Sequence, residues 1–400
     1  MEPKVNLFNA MFMYRPKGGG KSGTDKLMAE MSENVKNNFR HPVLANWLCN
    51  ARCNYKCFYC PLNAPNYQAN EKELSTEKAQ ELIDEMVKSG LKMLIINGGE
   101  PLLRDDLSIL IKYATSKGLD VTSLSNMSLM SKEVAVNLKE AGLTNVIVSL
   151  DAGSGETYFS IKGVDCFNKI LENIHGAREA GIGIIASMGV TKNNENELEE
   201  FIQLCIANKI PNAIVWMPIA PNKETVKFVL NAKERHALFK KIYYLSEKLY
   251  DKIALVAHPC DGQWLRVLLE LSGKNIMENL KFKAIANMSK GCMASTYMVG
   301  LSLEGNVFPC GATIGDKGES LGNIFNGGLL DTWNHSDILL KIRNRELNGK
   351  CNECNYKKIC GGCRIVAWLS SGDYLGSDPT CVHALNNPLD TEGLYVRSNI

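Results

Sequence analysis

The chain has 400 residues, and 45 Lys and Arg against 43 Asp and Glu give it a formal net charge of +2. A hydrophobic fraction of 45% and a charged fraction of 22% exclude an intrinsically disordered chain. The near-neutral charge gives no electrostatic reason to expect nucleic acid or a membrane surface as a partner, and no apolar stretch approaches the roughly 18 residues of a transmembrane helix. Since the first residues do not resemble a signal peptide, we expect a cytoplasmic protein.

Short apolar runs alternate with amphipathic stretches from about residue 43 to residue 218. The runs predict six strands, over 43–48, 93–97, 119–125, 145–150, 183–190 and 213–217. The stretches between them predict five helices, over 76–89, 107–117, 132–141, 167–180 and 196–208. Continuous apolar runs separated by helices are typical of parallel strands that are buried on both faces. Six such units are too few for a closed eight-stranded barrel, so we predict an α/β fold with a partial (β/α)6 barrel and its site at the carboxyl ends of the strands.

Composition divides the chain into five segments. We expect an irregular lead-in over 1–40, the partial barrel over 41–220, a helical connecting region over 221–290, a cysteine-rich domain over 291–385 and a tail over 386–400. The cysteine-rich segment is made of short pieces with many glycines, which cannot build a large apolar core. Bound metal is therefore expected to hold it together.

Cysteine placement is the most informative feature of the sequence. Fourteen cysteines are unlikely to form disulfides in a reducing compartment. Three of them crowd into residues 53–60 and seven into 292–381, and such clustering indicates metal ligands. Cys49, Cys166 and Cys205 stand in apolar stretches and are expected to be small core residues.

The first cysteine group lies directly after the first predicted strand. Cys53, Cys57 and Cys60 have the spacing C-x3-C-x2-C. Three thiolates on one compact loop can hold three irons of a 4Fe–4S cluster, which leaves the fourth iron without a protein ligand. A structural zinc site is the alternative, and it would need a fourth ligand such as His41 or Cys49, neither of which has a familiar spacing.

This loop resembles the signature of radical S-adenosylmethionine (SAM) enzymes, C-x3-C-x-aromatic-C, with Tyr59 in the aromatic position. The resemblance implies that SAM chelates the open iron through its amino and carboxylate groups. It also implies that reduction of the cluster cleaves SAM to methionine and a 5′-deoxyadenosyl radical, which abstracts a substrate hydrogen. Tyr59 would lie beside the adenine, and a reductant such as flavodoxin or ferredoxin is expected as a partner.

Residues at the ends of later strands match further positions of the same family. Gly98, Gly99 and Glu100 follow the second strand and resemble the GGE motif that receives the SAM amino group, although an ordinary turn would have the same composition. Lys162 stands where relatives often carry arginine, which puts carboxylate recognition there in question. The resemblance also implies contacts with the ribose, carboxylate or adenine of SAM, with caps, turns and core packing as the alternatives, for Ser125, Asn126, Ser149, Asp151, Val190 and Met217.

A second cysteine pattern resembles the SPASM extension of radical SAM enzymes, which holds two auxiliary 4Fe–4S clusters. Only two residues separate Cys360 from Cys363, where the extension usually has three. Family topology implies a first auxiliary site on Cys292, Cys310 and Cys363, and a second on Cys351, Cys354, Cys360 and Cys381. The first site is then one ligand short, and Cys260, a substrate or a non-cysteine ligand could complete it. A pair of zinc knuckles is the alternative for the region, but zinc is redox-silent.

The last of these cysteines narrow the family further. The stretch from Cys360 to Cys381 resembles the ending found in haem-pathway enzymes and the mycofactocin peptide maturase, whereas sulfatase maturases carry aspartate where this chain has Gly311. We therefore expect a radical SAM/SPASM oxidoreductase that modifies a peptide or a small tetrapyrrole-like cofactor precursor, with no acid or base residue assigned. One alternative is a maturase for an ordinary ribosomal peptide or a sulfatase. The other is a non-catalytic iron–sulfur electron carrier, which would have no use for the GGE motif.

Overall fold

A computed structural model describes residue 33 and residues 39–60, 73–220, 223–258, 261–271, 291–314 and 318–384. Nearly all of the predicted lead-in, the tail over 386–400, part of the connecting region and Cys260 lie outside the described residues. No helix in the described ranges is both long and apolar enough to cross a bilayer.

All six predicted strands are present, and their bounds differ from the predicted ones by at most one residue. Neighbours along the chain pair in parallel, and nearly every side chain of the central strands is buried. The strands are β1 (Leu44–Leu48), β2 (Met93–Asn97), β3 (Asp120–Ser125), β4 (Asn145–Ser149), β5 (Gly183–Gly189) and β6 (Asn212–Trp216).

The helices between these strands pack one apolar face against the sheet. In the first of them Ala79, Leu82, Ile83 and Met86 are all buried, at the spacing of one helical face, and the Ser75 side chain caps its first turn by accepting from the Lys78 amide. One short helix was not predicted, over Gly155–Lys162. The helices are α1 (Thr76–Lys88), α2 (Leu107–Ser116), α3 (Lys132–Glu140), α4 (Gly155–Lys162), α5 (Phe167–Glu179) and α6 (Leu198–Ala207).

The described part of the sheet extends beyond the six predicted strands at both edges. β7 (Ala254–Ala257) pairs with β6, within the stretch predicted to be helical, after helix α7 (Ala232–Lys248) and before α8 (Gly262–Leu271). At the other edge β8 (Met298–Leu301) pairs in parallel with β1, and β9 (Val307–Phe308) pairs antiparallel with β8. The cysteine-rich region is therefore joined to the barrel by main-chain hydrogen bonds of one continuous sheet.

Short helices and loops make up the rest of the cysteine-rich region. A buried polar contact ties them to the residues just before β1, where the Trp333 indole donates to the Phe39 carbonyl at 2.6 Å. The helices are α9 (Leu329–His335), α10 (Asp337–Asn344), α11 (Gly349–Glu353) and α12 (Arg364–Ser371).

Candidate functional site

The cysteine loop (residues 53–60) follows β1 at the carboxyl edge of the sheet. Tyr55, in the middle of the loop, is buried, and its hydroxyl shares a hydrogen bond with the Cys166 thiol at 2.6 Å and accepts one from Tyr158 at 3.2 Å. We predicted Cys166 as a core residue; it is half-buried, and its thiol is hydrogen-bonded to the cysteine loop. The contact anchors the loop to the start of α5.

The three thiols of the cysteine loop lie close enough to influence one another. Burial raises the pKa of Cys53 to about 11, and the negative charges of Cys57 and Cys60 add to that effect. Burial also raises the pKa of Cys57, against the opposing charge of the Lys162 ammonium. A metal centre would hold such thiols deprotonated despite their burial.

The donor set of three cysteines is the kind that binds a four-iron cluster. Within the described ranges, no three cysteine, histidine or carboxylate side chains converge as one metal ion would require. A tetrahedral zinc site needs that convergence, with sulfur about 2.3 Å from the metal. In a four-iron cluster each thiolate binds a different iron, so the sulfur atoms stand further apart.

The turn formed by residues 98–100, the GGE turn, lies directly against the start of the cysteine loop. The Gly99 amide donates to the Asn50 carbonyl at 3.0 Å, and the Glu100 amide donates to the Arg52 carbonyl at 2.7 Å. A Cβ at Gly98 would lie 2.4 Å from Asn50 Oδ1, and one at Gly99 would lie 2.2 Å from the Arg52 carbonyl oxygen. Glycine is therefore required here for the close approach of two backbones, which an ordinary turn would not need.

The Glu100 side chain is fully buried and joins the ends of two strands. Its Oε1 accepts from Ser125 Oγ at 2.8 Å and from the Leu102 amide at 3.2 Å, while Oε2 accepts from the Asn126 amide at 2.8 Å. Burial raises the pKa of Glu100 to about 7, although these hydrogen bonds favour the charged form. Its role toward the SAM amino group stays a prediction.

The raised pKa of Glu100 predicts a pH dependence of SAM binding. We expect the dissociation constant for SAM to fall by up to about tenfold between pH 6 and pH 8, because the carboxyl ionises in that range and then accepts more strongly from the N–H groups of the SAM amino group. Calorimetric titration of the oxygen-free, cluster-loaded protein measures this. The control is Glu100→Gln, which retains the titration of SAM itself and should show a smaller pH dependence. Equal pH dependence in the two proteins would contradict the assignment.

Asp151 and Lys162 form a buried ion pair beside Tyr59. Their side chains are only 1% and 3% exposed, and Lys162 Nζ contacts Asp151 Oδ2 and lies 3.5 Å from the Tyr59 hydroxyl. Asp151 follows β4 with a left-handed backbone (φ +61°), and its Oδ1 accepts from the Gly189 amide. Burial disfavours the charged form of Lys162, but the negative charges of Asp151 and Cys57 outweigh it and raise the pKa of Lys162. The lysine thus carries a positive charge next to the cysteine loop.

The remaining predicted SAM residues also lie along the carboxyl edge of β2 to β6. Ser149 ends β4, Val190 follows β5 and donates its amide to the Trp216 carbonyl at 2.8 Å, and Met217 follows β6. The Trp216 ring meets the Tyr59 ring edge-on, with 5.8 Å between centroids. Because the strands are parallel, their polar ends all meet at this edge.

Two asparagines of this edge were not predicted. Asn54, within the cysteine loop, accepts from Asn126 Nδ2 at 2.9 Å. Asn194 is buried and donates to the carbonyls of Asp151 at 2.7 Å and Gly189 at 2.9 Å. Asn54 lies between Cys53 and Cys57, so its place in the sequence could have identified it as a site residue. Nothing in the sequence around Asn194 distinguishes it from an ordinary turn residue.

Six of the seven cysteines after residue 291 fall into two groups whose thiols influence one another electrostatically. In the first group, burial raises the pKa of Cys310 to about 12, and the negative charge of Cys292 raises it further. Burial and the charge of Cys292 also raise the pKa of Cys363. In the second group burial raises the pKa of Cys381 to about 12, with a contribution from Cys351, and Cys381 likewise raises the pKa of Cys360. These groupings parallel the two predicted ligand sets, which stay a prediction.

Cys354 of the second set lies at the end of α11, where its sulfur accepts from the Tyr356 amide at 3.4 Å. Gly361 and Gly362 connect Cys360 to Cys363 with left-handed backbone at both positions (φ +69° and +63°), which explains how two residues suffice.

A side chain at position 311 would clash with the Asn46 side chain. A Cβ there would lie 2.5 Å from Cγ of Asn46 on β1. The aspartate expected of sulfatase maturases would therefore require the Asn46 side chain, the Cys310 loop or β1 to move.

Comparisons with known proteins agree with this geometry. Residues 48–205 match the Radical SAM superfamily, and residues 292–355 match the SPASM iron–sulfur cluster-binding domain. The chain is 30% identical over 314 residues to the AdoMet-dependent heme synthase of Methanosarcina barkeri, a match that covers 78% of this chain and 88% of that protein. It is 25% identical over 342 residues to the mycofactocin maturase MftC of Mycolicibacterium smegmatis, covering 79% and 77%.

Solved structures share the fold. The Streptococcus suis SuiB structure bound to the precursor peptide SuiA superposes with a TM-score of 0.69 at 20% identity, over 90% of this chain and 79% of that one. The anSMEcpe structure with bound AdoMet gives 0.64 at 17% identity, over 88% and 94%. The predicted α/β fold, with a parallel-stranded partial barrel and a cysteine-rich C-terminal region, is confirmed.

Proposed function

The chain belongs to the radical SAM superfamily and carries the SPASM iron–sulfur domain, and from this premise we propose that it oxidises a haem-type tetrapyrrole precursor. When bound, SAM and its reduced 4Fe–4S cluster would supply a 5′-deoxyadenosyl radical that takes a hydrogen atom from the substrate, and the electron left on the substrate would pass to an auxiliary cluster held by the C-terminal cysteines. The observation that carries the choice of substrate is the 30% identity to a heme synthase over 88% of its length. The residue at position 311 is consistent with this choice, because it is not the aspartate expected of sulfatase maturases.

The chain's own residues divide the work at the proposed SAM site. Cys53, Cys57 and Cys60 hold the cluster, and the GGE turn beside them receives the SAM amino group with Glu100 as the balancing charge. The Lys162 ammonium attracts the SAM carboxylate. This division is supported by the backbone contacts between the GGE turn and the cysteine loop, and by the burial of Lys162 next to that loop.

Tyr59 packs against the adenine in this proposal. Its buried ring contacts the Trp216 ring and the Phe58 ring edge-on, and the Phe58 and Tyr59 ring centroids are 5.3 Å apart. An aromatic surface is therefore present at the carboxyl edge of the sheet. Ser125, Asn126, Ser149, Asp151, Val190 and Met217 hold the rest of SAM or fix the groups that do.

A peptide-derived cofactor precursor is the second candidate. It is favoured by the similarity to a mycofactocin maturase over 79% of this chain. Both candidates would be oxidised on a side chain at the same site, so the structure of the site does not separate them. Activity assays with each substrate distinguish the two. A flavodoxin- or ferredoxin-type protein remains the proposed source of the electron that starts each cycle.

The function is tested by incubating the reduced, oxygen-free protein with SAM and either iron coproporphyrin or a candidate precursor peptide. We expect 5′-deoxyadenosine to form faster with the tetrapyrrole, and the tetrapyrrole to change mass in proportion. Deuterium placed on its propionate side chains should appear in 5′-deoxyadenosine.

Other outcomes of this experiment are also decisive. Deuterium transfer from the peptide alone would replace the first candidate by the second. No 5′-deoxyadenosine from fully iron-loaded protein with any substrate would contradict the radical function and favour an electron carrier.

A further inference from the structure

Arg364 is a fully buried arginine placed between the two groups of auxiliary cysteines. It is the first residue of α12, directly after Cys363, and is 0% exposed. Its Nη1 donates to the carbonyls of Tyr374 at 3.0 Å and Gly376 at 2.7 Å. Its Nη2 lies 3.6 Å from the sulfur of Cys351, which belongs to the other predicted ligand set.

No carboxylate in the described part of the chain pairs with this guanidinium. The Asp378 carboxylate lies beside the same turn, but its hydrogen bonds come from neutral groups and not from Arg364. Its Oδ2 accepts from the Cys363 amide at 2.8 Å and from Gln263 Nε2 at 2.9 Å, and its Oδ1 accepts from the Thr380 amide. The partners of Arg364 are neutral carbonyls and one cysteine sulfur. A buried guanidinium 3.6 Å from a cysteine sulfur stabilises negative charge on that sulfur and on any group bound to it.

Two more arginines, Arg345 and Arg266, add positive charge near these cysteines. Arg345 is also buried, and burial together with the neighbouring Arg364 charge lowers its pKa. Arg266 of α8 lies near Cys381 and Cys360 and is paired with Glu270 at 2.6 Å.

The second acid near these cysteines, Asp261, is neutralised by Arg235 at 2.8 Å. Among the described residues, Arg364 therefore forms no ion pair with either Asp261 or Asp378.

We propose that Arg364 raises the reduction potential of the iron–sulfur cluster held at the second auxiliary site, by stabilising its more negative, reduced state. The inference rests on the proposed function in one respect, that this site is loaded with a cluster. The potentials of such clusters depend on net charge, hydrogen bonds to the sulfurs and solvent exposure. Arg364 supplies the first two at Cys351 and, through its burial, is little screened by water.

The test compares Arg364→Gln with wild type by redox titration of the oxygen-free protein, followed by electron paramagnetic resonance. In Arg364→Gln, one of the three clusters should need a more negative ambient potential for its reduction than in wild type. At a fixed potential its ratio of reduced to oxidised cluster should fall at least about tenfold, which corresponds to about 59 mV for a one-electron couple.

Two further variants separate charge from structure. Arg364→Lys keeps the positive charge and should retain most of the wild-type potential. Arg343→Gln removes a different buried arginine, one that donates to the carbonyls of Ser295 and Trp333, and should leave all three potentials unchanged.

Each outcome decides the matter. Unchanged potentials in Arg364→Gln with full iron content would overturn the proposal and leave the function intact. If Arg364→Gln loses about four irons, Arg364→Lys decides: retained iron and potential support the role of charge, and loss of iron there too overturns it. Wild-type protein with no cluster at the second site would instead contradict the proposed function.

Discussion

Replacing Cys57 by alanine should abolish 5′-deoxyadenosine formation while both auxiliary sites stay loaded. Cys57 is the central thiolate of the cysteine loop, and a four-iron cluster held by two of three ligands would lose iron. Iron should therefore fall from about 12 to about 8 atoms per chain, and product formation should drop to the rate of a protein-free control. Anaerobic iron analysis and chromatographic detection of 5′-deoxyadenosine measure the two quantities.

The matched control for this variant is Cys205→Ala. Cys205 is buried in α6, away from the cysteine loop, and burial alone raises the pKa of its thiol. This variant should keep about 12 irons and most of the activity. Undiminished 5′-deoxyadenosine formation by Cys57→Ala would refute the assignment of the SAM site.

The second large effect is expected from Lys162→Met. This substitution leaves the Asp151 carboxylate buried without its counter-charge, and removing one partner of a buried ion pair costs about 3–5 kcal/mol of folding free energy. The proposed carboxylate contact with SAM is lost at the same time, so the KM for SAM should rise. Urea unfolding followed by circular dichroism and SAM titration of the 5′-deoxyadenosine rate measure the two effects.

Two comparisons isolate the cause of that loss. Lys162→Met combined with Asp151→Asn removes both charges and should recover part of the stability but not the KM for SAM. Lys132→Met breaks an exposed pair, in which the Lys132 side chain is 67% exposed, and should leave the urea midpoint close to that of wild type. A Lys162→Met protein as stable as Lys132→Met would show that the buried pair does not stabilise the fold.

The barrel strands were predictable because burial on both faces leaves a continuous apolar run of five to seven residues, as in β5. The strands β7 to β9 were not. They contain two to four residues each and pair with strands that are far away in sequence. In β8, for example, Met298 is the register partner of Leu44 in β1. Their local sequence carries too little periodicity to distinguish a strand from a loop.

The same division applies to the site. Cysteine spacing and the glycines of the GGE turn express local geometry, so they are visible in the sequence. The Asp151–Lys162 pair and the burial of Arg364 depend on tertiary packing, and an arginine beside a cysteine is otherwise expected to be exposed. Lys162 was noticed only as a departure from a family pattern, and that departure could not indicate its partner.

The central claim is that the cysteine loop holds a cluster with one iron open to SAM. The most direct measurement is the electron paramagnetic resonance spectrum of the reduced, oxygen-free protein before and after addition of SAM. SAM should change the g values of one cluster signal, and that change should be absent in Cys57→Ala. A spectrum that SAM leaves unaltered, from protein carrying its full complement of iron, would contradict the account.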